Sequence, residues 1–156
     1  MIINRGKLLE KAPIANMSTT KDRFHGVSSG LAEAGYDIRI AQDVLFAPTR
    51  HGNMYVTVNN SPVNTSRFVI ASAMEKFQMP DDLVGVVHDK STWARKGLSV
   101  FNTVIEPGWN GFLTLELVYH GNELLNIPAG TGIAQVLFSQ IEETAAYTGK
   151  YQDQAD

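Results

Sequence analysis

The chain of 156 residues contains no cysteine. That excludes a disulfide framework, a thiolate nucleophile and any zinc site built on cysteine. Histidine is scarce: His25, His51, His88 and His120 are the four, and no two stand at the i, i+4 spacing of a helical metal site. No apolar run approaches the roughly 20 residues of a membrane helix. The start, Met1-Ile2-Ile3-Asn4-Arg5, lacks the apolar stretch of a secretory signal. A soluble, intracellular and hence cytoplasmic protein, with no membrane partner, is therefore expected. Positive charge is not in excess either: 13 Lys and Arg against 16 Asp and Glu leave a formal charge of −3. Such a balance argues against a nucleic-acid partner gripped mainly through charge. A small anionic ligand needs only a local cluster of cations and stays open.

What is present suits a packed core. Hydrophobic types make up 44% of the residues, which rules against wholesale disorder. The length fits one domain, so residues 1–156 are expected as a single unit with 147–156 as a tail. Only the beginning reads as helix: Asn4 caps a short segment carrying Leu8 and Leu9, and Pro13 ends it. From Tyr36 onward short apolar stretches alternate with turn signals such as Asn59-Asn60-Ser61-Pro62, Pro107-Gly108 and His120-Gly121-Asn122. Strands are expected over 36–40, 54–58, 68–74, 83–87, 98–103, 112–119 and 133–141. Many short, closely spaced strands predict an all-β sandwich or barrel.

Three segments depart from that alternation: the glycine- and serine-rich residues 24–35, the polar and basic residues 89–97, and the polar tail 147–156. Asp89-Lys90-Ser91-Thr92-Trp93-Ala94-Arg95-Lys96-Gly97 packs three cations and two hydroxyls into nine residues. If Ser91 opens a helical turn, Ser91 and Arg95 share one side, and an arginine fork beside free N–H groups suits phosphate oxygens. A solvated turn is the alternative.

A second group is Ile105-Glu106-Pro107-Gly108-Trp109-Asn110-Gly111, followed by a strand. There Leu113, Leu115 and Leu117 share one face, and Thr114 and Glu116 point the other way. Glu116 is either a general base facing a pocket or a solvated polar residue. Trp109 either walls a base pocket or seals the core. Asp37 is a lone acid between apolar neighbours. Lys150-Tyr151-Gln152-Asp153-Gln154 is either a closing tail or a frayed end.

Read in order, these segments resemble the dCTP deaminase family of the dUTPase-like superfamily. Tyr36-Asp37-Ile38-Arg39 is similar to the family's "YDLR", Met79-Pro80-Asp81-Asp82-Leu83 to "LPDDL", and Lys90-Ser91-Thr92-Trp93-Ala94-Arg95 to "RSSLAR". The run 105–111 is similar to "IDPGWSG", Thr114-Leu115-Glu116 to "TLE", Gly132-Ile133-Ala134-Gln135 to "IGQL", and Tyr147 with 150–154 to the tail "Y…KYQGQ".

The resemblance implies a distorted β-barrel or jelly roll with a short N-terminal helix, assembled as a homotrimer with active sites between subunits. It implies hydrolytic deamination of dCTP, or of a modified dCTP, to dUTP and ammonia. In that reading Glu116 is the general base, and Ser91 and Arg95 are catalytic partners. Lys90, Thr92, Glu106, Trp109, Thr114, Leu115, Gln135, Tyr147, Lys150 and Gln154 bind the nucleotide. Zinc deaminases activate water on a metal held by cysteine and histidine. Without cysteine, a positioned carboxylate must serve instead. No protein-held catalytic metal is implied, and Mg2+ travels with the triphosphate. Ligands are dCTP and dUTP, with dTTP a feedback ligand in some relatives.

Differences stand beside the likeness. Glu106 replaces an aspartate, Lys90 an arginine and Asp153 a glycine, and residues 98–104 form a shorter link than in typical members. The alternatives are therefore a dUTP pyrophosphatase, alone or following deamination, and a non-catalytic nucleotide-binding regulator.

Overall fold

The computed structural model describes residues 1–155. In chain order its elements are β1 (Ile2–Ile3), α1 (Arg5–Lys11), β2 (Lys21–Phe24), β3 (Val27–Leu31), β4 (Tyr36–Arg39), β5 (Val44–Pro48), β6 (Met54–Val58) and β7 (Ser61–Asn64). There follow β8 (Phe68–Gln78), β9 (Leu83–Asp89), α2 (Ser91–Ala94), β10 (Leu98–Val100), β11 (Val104–Ile105), β12 (Asn110–Tyr119), β13 (Leu125–Ile127) and β14 (Gly132–Gln140). The strands form three sheets: β11-β9-β14-β4-β3-β2 with β1 added on β14, then β10-β12-β8, then β13-β5-β6-β7. Every named strand pairing is antiparallel. The sheets do not close into a barrel, and the result is a distorted jelly roll, the expected all-β fold.

The inner faces share one core. Phe46, Phe77 and Phe138 are fully buried within it, with Ile38, Val56, Leu83, Leu115 and Leu117. Each such side chain contributes roughly 1.5–3 kcal/mol by leaving water. Phe46 also meets Tyr119 with ring centroids 5.3 Å apart.

Several expectations are corrected. Asn4 does occupy the N-cap position of α1 in extended conformation, but its side chain makes no cap. Its Nδ2 instead donates to Glu33 O at 2.8 Å, a tertiary bond that competes with the local one. Residues 24–35 are not a break in the strands. They hold β3, whose Ser29 is buried and whose Gly30, at φ +85°, lies where a Cβ would sit 2.5 Å from Thr20 O. Small residues there let two chain segments approach. The strand expected over 98–103 ends at Val100, and β8 runs four residues past Met74 to Gln78.

Candidate active site

A cleft of about 590 Å3 opens between β12, the 102–106 link and the tail. Its walls are Ile70, Asn102, Thr103, Val104, Ile105, Glu106, Trp109, Leu113, Thr114, Glu116, Tyr147, Tyr151 and Gln154. Six residues singled out from sequence meet here: Glu106, Trp109, Thr114, Glu116, Tyr147 and Gln154.

β12 places Glu116. Its alternation buries Leu115 and Leu117 in the core, so Thr114 and Glu116 fall on the cleft side, half-buried. Leu113 was expected to follow Leu115 inward. It packs against the core only in part and also borders the cleft, where the pairing with β8 shifts register between Phe112 and Thr114. Directly across the ladder from Glu116 stands Ile70, 59% exposed. Asn102, absent from the sequence-based site, bonds the backbone on either side of Leu115: Nδ2 donates to Thr114 O at 2.7 Å, and Glu116 N donates to Oδ1 at 3.1 Å. No periodicity marks such a residue. The only sequence signal was the shortened link it sits in.

Trp109 seals the core and also borders the cleft. Its ring is 6% exposed and packs on Phe77, yet an edge reaches the cleft. Its Nε1 donates to Tyr151 O at 2.6 Å and so pins the tail. The tail is docked at Tyr147 and again from Tyr151 to Gln154 rather than frayed. Tyr147 N donates to Pro107 O, Asp153 N to Asn110 O and Phe112 N to Gln154 O. Gln152 adds its own amide, accepting from Asn110 N at 2.7 Å and donating to Gly108 O at 3.0 Å. Gln154 Nε2 then donates to Phe112 O and to Thr114 Oγ1 at 2.8 and 2.6 Å. Gly111 makes this possible. At φ +145°, its missing Cβ would lie 2.8 Å from both the N and the O of Gln154. Asp156, last of the expected tail residues, lies outside the described residues.

Other sequence-selected residues sit elsewhere on the chain. Ser91, Thr92 and Arg95 are exposed on and just after α2, where Arg95 N donates to Ser91 O as one helical turn requires. Trp93 anchors that turn by burying its ring and donating Nε1 to Gly132 O at 2.7 Å. Lys90 and Gln135 converge on Asp37, which is 2% exposed. Lys90 Nζ donates to Asp37 Oδ2 and to Ser28 Oγ, both at 2.7 Å, and Gln135 Nε2 donates to Asp37 Oδ1 at 2.8 Å. The lone acid of the sequence is thus the hub of a satisfied buried network. Leu115 is wholly in the core, so its side chain does not reach the cleft. Lys150 is exposed, its ammonium 5.0 Å from the Tyr151 ring centroid.

Among the described residues no three His, Asp or Glu side chains group as metal ligands, and no helix is long and apolar enough to cross a membrane.

Solved structures similar to this chain include dUTPases. Native EIAV dUTPase superposes with a TM-score of 0.55 at 18% identity, covering 86% of this chain and 93% of its own. A Staphylococcus bacteriophage 80alpha dUTPase with dUpNHpp gives 0.55 at 17%, covering 88% and 86%. A dUTPase of phage phi11 of S. aureus, solved for the coordination of a structural Mg(II) ion, gives 0.54 at 15%, covering 88% and 94%. At such identity the likeness establishes the fold alone. Sequence relatives go further. The dCTP deaminase of Campylobacter fetus is 36% identical over 145 residues, spanning 82% of this chain and 78% of that protein. The dCTP deaminase of Herpetosiphon aurantiacus is 37% identical over 147 residues, spanning 82% and 79%. That of Helicobacter pylori is 32% identical over 148 residues, spanning 82% and 78%. The dCTP deaminase-like family profile matches residues 21–141, a stretch that holds α2, Glu106 and Glu116 together. The chain belongs to the dCTP deaminase-like family.

Proposed function

We propose that this protein hydrolyses the amino group of dCTP, releasing ammonia and dUTP, with Glu116 as general base. The observation that carries this reading is the placement of Glu116 in one cleft with Glu106, Trp109, Thr114, Tyr147 and Gln154. Water adds at C4 of the cytosine as Glu116 accepts its proton. The carboxyl passes that proton to ring N3, the proton of the new C4 hydroxyl goes to the amine, and the C–N bond breaks to release ammonia and leave the uracil carbonyl. Glu106 contacts the sugar, Trp109 walls the nucleoside, and Tyr147, Lys150 and Gln154 close over the triphosphate and its Mg2+. Thr114 borders the base, and Leu115 contributes through its main chain.

No α2 residue lines the cleft, yet Ser91, Thr92 and Arg95 stand exposed. Beside the cleft the outer face of β8 exposes Phe68, Ile70 and Met74. Exposed apolar side chains grouped on one sheet face suit burial against a neighbour. In our reading a second copy covers that face, Ser91 and Arg95 of the neighbour complete the site, and the assembly is a homotrimer. Arg95 then stabilises charge on the ring, and Ser91 orients the water. Lys90 and Gln135, both bonded to Asp37, fix the start of α2, while Thr92 faces the phosphates.

A second activity has its own support: Glu106 is exposed at the rim of the same cleft, where it could aim water at the α-phosphate of dUTP. One assay separates the cases. Purified protein is incubated with dCTP or dUTP and Mg2+, and ammonia, pyrophosphate and nucleotides are measured. Ammonia with accumulating dUTP supports the deaminase. Ammonia with dUMP and pyrophosphate supports both activities in one site. Hydrolysis of dUTP without ammonia from dCTP overturns the deaminase reading, and binding without products leaves a regulator.

A further inference from the structure

Between Val100 and Val104 the chain runs beside β12 without extending the ladder. The register of β10 with β12 ends at Val100↔Leu117, and one main-chain bond follows, Phe101 N to Glu116 O at 2.6 Å. The next polar groups along that edge, Glu116 N and Thr114 O, are met by the carboxamide of Asn102. One planar amide joining the C=O before a residue to the N–H after it reproduces how a parallel strand bridges its neighbour. Asn102 thus acts as a one-residue parallel strand against Leu115.

We infer that Asn102 is a positioning residue for Glu116, holding the main chain on both sides of Leu115 so that the carboxylate keeps its aim into the cleft. The inference rests on the deaminase reading and deepens it. Leu115 is fixed below by the core, and β8 holds the opposite edge of β12 through Ile70. Asn102 secures the remaining edge, and it also lines the cleft. The residue type is constrained. Aspartate keeps an acceptor for Glu116 N but turns lone pairs toward Thr114 O; alanine does neither; glutamine is one methylene too long. A misplacement on the order of 1 Å costs about 10²-fold in rate.

The test compares the wild type with Asn102→Ala and Asn102→Asp by three readouts: kcat and KM for ammonia release from dCTP, amide hydrogen exchange at Glu116, and the thermal midpoint. Both variants should lose about 10- to 100-fold in kcat with KM within about threefold, the split expected when aim rather than binding is lost. Exchange at Glu116 should quicken in Asn102→Ala more than in Asn102→Asp, which retains the acceptor. Unchanged kcat in both variants overturns the inference, as does a loss that merely tracks the fraction unfolded. A wild type that releases no ammonia sinks the deaminase reading instead; exchange at Glu116 would then decide alone whether Asn102 holds that backbone.

Discussion

Gln154 reaches back to Thr114: its Nε2 lies 2.6 Å from Thr114 Oγ1, two residues before Glu116 on the same strand. The end of the chain is therefore fastened to the element that carries the proposed base. Gly111 sets the depth of that contact, because the tail backbone occupies the space its side chain would fill.

Gly111→Ala should detach the tail. A Cβ 2.8 Å from Gln154 main-chain atoms has no flexible neighbour to displace. We expect Tyr151 to become open to chymotrypsin under conditions where the wild type resists. Gln154→Ala, which loses only the side-chain bonds, should raise KM for dCTP by a few-fold to about tenfold, as one or two lost hydrogen bonds imply. A Gly111→Ala protein that resists cleavage as the wild type does would contradict the docking described.

Asp37 and Lys90 should couple strongly. Their side chains are 2% and 10% exposed, and Asp37→Ala leaves a buried ammonium without its counter-ion. The expected loss is about 3–5 kcal/mol, part of which Lys90→Met should restore in the double variant. Urea unfolding of the four proteins of the cycle measures it. Strict additivity would mean that the pair does not hold the base of α2.

Tyr36 should contribute to the loss of stability in alkali. Burial pushes its phenol above the ordinary 10.0, with the Ser18 N–H bond to its oxygen working the other way and the Glu75 charge adding to the rise. The folded value exceeds the unfolded one, so this contribution is whole below about pH 10 and is lost as pH climbs toward the folded value. Urea midpoints at pH 8.5 and 10.5 should therefore fall further for the wild type than for Tyr36→Phe. Equal falls would remove Tyr36 from the alkaline limb.

How far the sequence could be read depended on the distance over which each feature is determined. Period-two alternation in 113–119 put Thr114 and Glu116 opposite Leu115 and Leu117, and β12 bears that out. It did not show that Leu113 also borders the cleft, because the register shift beside it belongs to the pairing with β8 rather than to β12 alone. Residues 24–35 carry glycine and serine for close packing against residues near Thr20, which local composition reads as loop. Asp37 and Lys90 lie 53 positions apart, and neither announces the other. Asn102 looks like any polar link residue until β12 is laid beside it. The individual motifs were legible; the contacts that orient them were tertiary.

The central claim is that a carboxyl at position 116 moves the proton. The direct measurement is ammonia release from dCTP by Glu116→Gln at saturating substrate, with dCTP affinity measured in parallel. The account predicts a fall in kcat of about 10²–10⁴-fold with affinity within a few-fold of the wild type. Turnover at the wild-type rate would contradict it and transfer the proton to another group.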